Sequence, residues 1–202
     1  MCRQLTTENM ALTISIISLI ISGLTFWLTR IRKGSLKMTR PSIICFLGQN
    51  GNDKPKIFIR TLLYATADQG QHIQNMFVKI HRAETIQNFN VWAYGDNGIV
   101  RGSGLFASKT GISVYHHFLL PKNEQWNFVS GEYRLEVYAE TPNNKTEKLF
   151  EQKLSLTTDQ TKDIELGKAV YFDWAPNTGQ YVSYSDIRTN EKWRGEDKKN
   201  TQ

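Results

Sequence analysis

Cysteine is scarce: the 202-residue chain holds two, Cys2 and Cys45. They flank a long apolar run on opposite sides, so they cannot bridge within one chain, and a reducing compartment suits both. Ionisable side chains are missing altogether from Asn9 to Thr29. An excess of one charge is missing from the remainder: from Pro41 onward 19 Lys and Arg stand against 18 Asp and Glu, a net of +1. That balance offers nothing to a phosphate backbone, so no nucleic-acid partner is expected. No histidine or cysteine has ligand spacing, G-x-S-x-G does not occur, and there is no internal repeat or low-complexity tract. No metal, cofactor or catalytic residue is expected on these grounds.

What is present begins with Ala11 to Leu28, ALTISIISLIISGLTFWL. At about 1.5 Å per residue this run spans roughly 30 Å, the thickness of a hydrocarbon core. Its isoleucines and leucines lie all round the helix, unlike the stripe of a soluble amphipathic helix. The serines and threonines can bond back to carbonyls of the preceding turn, which permits insertion. A cleavable signal would need a basic leader and a small-residue cleavage site. Here Phe26 and Trp27 precede a cationic stop, so a retained transmembrane helix over residues 11–29 is expected, after a tail of residues 1–10. Ser18, Ser22 and Gly23 form a small-residue face that could pack helix to helix, but a monomeric span with incidental serines is the preferred reading.

The basic residues cluster just after the helix. Arg30, Arg32, Lys33, Lys37 and Arg40 supply +5 within residues 30–40, against a nearly neutral N-terminal tail. They read as a juxtamembrane linker on anionic headgroups, at about 1 kcal/mol per basic residue. The same bias predicts a single-pass inner-membrane protein with its domain in the cytoplasm.

From Pro41 the pattern changes to alternation. Strands are expected over 42–47, 56–66, 75–82, 87–94, 99–101, 111–120, 131–140, 148–156, 169–174 and 180–185, separated by Gly, Pro and Asn turns. One short soluble helix is expected over Thr158 to Gly167, capped by Thr158 or Asp159. Turn spacing of about eight to twelve residues argues for an immunoglobulin-like antiparallel β-sandwich over residues 41–187. Tyr133 after Gly131, opening Gly131-Glu132-Tyr133-Arg134-Leu135-Glu136-Val137, looks like a tyrosine corner. Residues 188–202 are charged and carry one aromatic, which predicts a disordered tail.

The segments LLYAT (62–66), VWAYGD (91–96), RGSGLF (101–106), HHFLLP (116–121), GEYRLEVYA (131–139) and YFDW (171–174), after one membrane helix, resemble a family of uncharacterised bacterial single-span membrane proteins. The resemblance reaches to about Tyr184. It implies a bacterial membrane context and a β-rich domain, and supplies no catalytic residues.

Four features invite chemistry. His116 and His117 are adjacent in a strand and point to opposite faces, so one ion cannot take both. Arg101-Gly102-Ser103-Gly104 has no helix after it to serve phosphate, and reads as a bulge or turn. Asp68, Asp96 and Asp173 sit beside turns, where Asp is at home. Aromatic richness is the fourth, and Trp92 with Tyr94, on the polar side of their strand, are the candidate binding residues. The chain reads as a membrane-anchored binding module whose partners are the bilayer and another membrane protein. The alternative is a metal-dependent or hydrolytic enzyme using His116 or His117 with a nearby carboxylate.

Overall fold

The computed structural model describes residues 2–31, 34–49, 54–96, 100–102 and 104–187. Arg32, Lys33, Ser103 and the expected tail of 188–202 therefore lie outside the described residues. Helix α1, Cys2–Phe26, continues into one π-helical turn, Trp27–Ile31. Within it the 23 residues Asn9–Ile31 are long and apolar enough to cross a membrane, and none of their apolar stretch is buried in the protein. The hydroxyls turn inward as expected: Thr13 donates to the Asn9 carbonyl at 2.8 Å, Ser15 to Ala11 at 2.9 Å and Thr25 to Ile21 at 2.8 Å. Each thus hides its polarity on its own backbone.

The rest is β-rich. The strands are β1 Leu36–Met38, β2 Ile43–Leu47, β3 Lys56–Ala65, β4 Gln71–Ile73, β5 Asn75–Arg82, β6 Thr85–Phe89 and β7 Val91–Tyr94. They continue with β8 Val100–Arg101, β9 Leu105–Ala107, β10 Ile112–Leu119, β11 Gly131–Glu140, β12 Thr146–Leu156, β13 Ala169–Ala175 and β14 Gln180–Asp186. A large sheet runs β14-β13-β2-β3-β10-β7-β8, with β1 also on β3, and a four-stranded sheet runs β12-β11-β5-β6. All these pairs are antiparallel, and β4 with β9 forms a small third ladder. The two larger sheets face each other across one core.

Phe46 stands at the centre of that core. Its ring stacks on Phe128 at 4.8 Å and meets the edges of Phe172 at 5.1 Å and Tyr133 at 5.9 Å. Every second residue of β5 and β11 joins it: Met76, Val78 and Ile80 from one, Tyr133, Leu135, Val137 and Ala139 from the other. Alternation puts these side chains on one face, and burying each large one contributes about 1.5–3 kcal/mol.

Tyr133 forms the expected corner. Its hydroxyl donates to the Val129 carbonyl at 2.5 Å and accepts from the Val129 N–H at 2.9 Å. Gly131, at φ +135°, makes the bend between them, a conformation costly for other residues.

Helix α2, Thr158–Glu165, closes one end. Its cap is Thr157, just before both expected caps, and Thr157 and Gln160 exchange side-chain and backbone hydrogen bonds at 3.2 and 3.0 Å. That reciprocal box needs Gln at the third helical position, and Gln160 occupies it. The helix ends in a Schellman pair, Gly167 N–H to Ile164 and Lys168 N–H to Asp163.

Two expectations are corrected. Residues 34–40 are not a free linker: Leu36 is buried, Lys37 lies opposite Tyr64 in β1, and Thr39 and Ser42 bond Leu62 and Arg60 of β3. β1 and β2 follow one line along β3, interrupted where Pro41 has no N–H to give. The expected strand over 87–94 is two strands in different sheets. Phe89 ends β6 beside Val78, while Trp92 in β7 lies beside Phe118 of β10. The chain changes sheet at exposed Asn90, and that step reverses the phase of the alternation.

Candidate functional site

The phase change buries Trp92 and leaves Tyr94 half-buried. Trp92 keeps 2% of its surface, and its Nε1–H donates to Nδ1 of His116 at 3.1 Å. A β-carbon at Gly102 would collide with the indole, so this glycine is what lets the chain pass over the ring. Tyr94 packs against the core, 5.0 Å from the Trp92 ring, and its hydroxyl donates to the Gly104 carbonyl at 2.9 Å. Both are structural side chains, which also accounts for Gly102 and Gly104.

The histidines divide between faces as alternation requires. His116 is fully buried, and with Nδ1 accepting from Trp92 its proton sits on Nε2, a buried atom without a hydrogen-bond partner. Burial, then the charge of His117, pushes its pKa down to about 3. His117 faces the other way with its ring 5.1 Å from Phe58, and burial with nearby Lys56 pushes it down to about 4. Neither forms a hydrogen bond to a carboxylate among the described residues, and those residues hold no group of three metal-ligating side chains. The three aspartates have separate duties: Asp68 pairs with Lys109 at 2.8 Å, Asp96 accepts the Tyr115 N–H at 3.2 Å, and Asp173 accepts the Tyr184 hydroxyl at 3.1 Å.

The basic cluster is partly engaged by the domain. The Arg30 carbonyl accepts from the Gln69 amide, and the Arg40 guanidinium lies 3.8 Å over the Trp174 ring. Lys37 and Arg40 are both exposed residues.

The most organised polar cluster lies on the outer face of the four-stranded sheet. Glu136, 6% exposed, receives His81 Nε2 at 2.9 Å and the Tyr138 hydroxyl at 2.9 Å on the same oxygen. Lys148 Nζ and Arg134 Nε stand 3.6 and 3.8 Å from its other oxygen. Arg134 also donates to His81 Nδ1 at 3.2 Å, which fixes the neutral tautomer with its proton on Nε2, pointing at Glu136. Burial works against the charged carboxylate, but the bonds from His81 and Tyr138 and the charge of Lys148 outweigh it and hold its pKa below the usual range. Phe77 stacks on Tyr138 at 5.0 Å and 5°, with Lys79 4.9 Å over the Tyr138 ring. Alternation alone places Phe77, Lys79 and His81 on one face and Arg134, Glu136 and Tyr138 on another. Register, which pairs β5 with β11, joins the two faces. Comparison with known proteins finds no family model and no curated protein that matches this chain.

Proposed function

We propose that the chain is a membrane-anchored interaction module: α1 holds the sandwich at the bacterial inner membrane, on its cytoplasmic side, where the domain meets another membrane protein. The observation that carries this reading is the Glu136 network. A carboxylate that is nearly buried on an outward sheet face contributes little to the core and costs desolvation, which His81 and Tyr138 offset. What such an arrangement provides is a rigid surface. It fixes the Phe77–Tyr138 stack and the cations Lys79, Arg134 and Lys148 around it, with Ile86 exposed on the neighbouring strand. Aromatic and arginine groups held in place are what strong interfaces use. The short passage from Ile31 to β1 supports the reading as well, since a domain held at the bilayer meets membrane partners at raised effective concentration.

Photo-crosslinking in native membranes tests it. A crosslinker at Ile86 is expected to give a discrete adduct with a membrane protein, and Arg134→Glu is expected to abolish it. Absence of an adduct from Ile86 and from Lys79 alike would overturn the assignment of this face.

A further inference from the structure

The outer face of the four-stranded sheet carries more than the Glu136 network. Register sets Ile86, His81, Arg134 and Lys153 in one row across β6, β5, β11 and β12, and Lys79, Glu136 and Glu151 in the next. Arg134 and Lys153 therefore stand directly opposite each other on adjacent strands, both exposed. Like charges placed so are destabilising.

The nearby carboxylates leave that repulsion in place. Glu136 divides its two oxygens among His81, Tyr138, Arg134 and Lys148, and Glu151 pairs with Lys148 at 2.6 Å. Arg134 comes only to 3.8 Å of Glu136, while a second nitrogen bonds His81. Lys79 rests on the Tyr138 ring, and neither Lys79 nor Lys153 forms an ion pair among the described residues. The cations Lys79, Arg134, Lys148 and Lys153 thus stand around Glu136 and Glu151, and Glu136 is nearly buried. The centre of the face is short of negative charge.

Resting on the interaction reading of this face, we infer that the partner presents an acidic segment to it. One carboxylate lies between Arg134 and Lys153, and a second lies at Lys79. A guanidinium and an ammonium on one carboxylate make charge-assisted bonds, and the anion relieves the repulsion between them. Apolar neighbours complete the match. Ile86 is exposed at the end of the same row, and the Phe77–Tyr138 stack lies beyond Lys79. An apolar side chain flanking the acids fits against either.

The segment belongs to a protein rather than to a layer of headgroups. Glu151 stands in the second row, and Glu132 and Glu140 share the outward phase at the two ends of β11. A uniformly anionic surface meets all three. A peptide chain can set its acids at the cations and pass the glutamates with neutral residues.

The test extends the Ile86 crosslink, in the full chain in native membranes. The partner peptide joined at Ile86 is sequenced by mass spectrometry. It is expected to hold more than one Asp or Glu within about five residues of the attachment point, the length that crosses the row at roughly 3.3 Å per residue. Lys153 is exposed and outside the Glu136 network, so Lys153→Glu should keep the parent's thermal midpoint. It should cut the adduct yield about tenfold, the loss expected of one charge-assisted contact, whereas Lys153→Arg should keep the yield. An adduct on a segment without acids, or one that Lys153→Glu leaves unchanged, overturns this inference and leaves the interaction reading standing. An adduct with phospholipid alone overturns it in favour of headgroups. No adduct from Ile86 or Lys79 removes the interaction reading itself, and this inference with it.

Discussion

Trp92 and His116 share one hydrogen bond, indole Nε1–H to imidazole Nδ1 at 3.1 Å, across the ladder between β7 and β10. The bond satisfies the indole and sets the histidine tautomer. It also makes two conspicuous residues, one resembling an interface anchor and one a general base, into parts of a single core contact. Replacing Trp92 with Ser is therefore expected to cost about 3–5 kcal/mol, as for other buried aromatics. Trp92→Phe keeps most of the volume but leaves Nδ1 without its donor, at a cost of about 1–3 kcal/mol. Urea unfolding of the two variants measures both. Midpoints equal to the parent would place Trp92 outside the core.

The pH dependence follows from the same histidine. His116 ordinarily titrates at 6.5 and is pushed down to about 3 in the fold, and His117 to about 4. The unfolded chain thus takes up protons that the folded chain refuses. Stability from these groups is complete above pH 6.5 and is lost as the pH falls from there toward the folded values. Glu136, held below its ordinary 4.5, adds stability above that value and loses it at lower pH. Between pH 6.5 and 4.5 the histidines act largely alone. By pH 5 His116 is expected to cost up to roughly 2 kcal/mol, at 1.36 kcal/mol per pH unit. Chemical denaturation at pH 7.5 and 5.0 reads this loss, and His116→Leu should flatten it. An unchanged midpoint in the parent would contradict the neutral buried histidine.

Tyr133 gives a narrower test. Its hydroxyl both donates to and accepts from Val129, so Tyr133→Phe removes two hydrogen bonds while leaving the ring in place. A loss of about 1–3 kcal/mol is expected, since the Val129 groups lose their partner. Thermal unfolding checks it, and a loss under a few tenths would mean that the corner closes without the hydroxyl.

The pattern of success in the sequence has a physical basis. α1 was legible because an uncharged run needs no partner to be recognised, and Thr13 and Ser15 behave as isolated helix residues do. β5 and β11 were legible because each keeps one phase from end to end. β7 was not, because the phase reverses at Asn90, and no local signal says that Phe89 and Trp92 belong to different sheets. β1 was hidden by charge, since Lys37 within it and Arg40 just after it make a three-residue strand look like a linker. The Glu136 network joins His81 to a residue 55 positions away, a relation that only register creates.

The last expectation concerns which side of the membrane the domain occupies. The positive cluster after α1 survives the correction of the linker. Lys37 lies in β1 and Arg40 rests on Trp174, but both remain within the roughly 15–20 residues of the span that weigh on orientation. The N-terminal tail offers Arg3 against Glu8. The more basic flank stays in the cytoplasm, so the domain is expected there and Cys2 outside. A membrane-impermeant maleimide separates the cases in intact cells with a permeable outer envelope. Cys2 should react before lysis, whereas a cysteine placed at exposed Ile86 should react only after it. The reverse order would put the domain outside and show that the short tail is retained within despite its low charge.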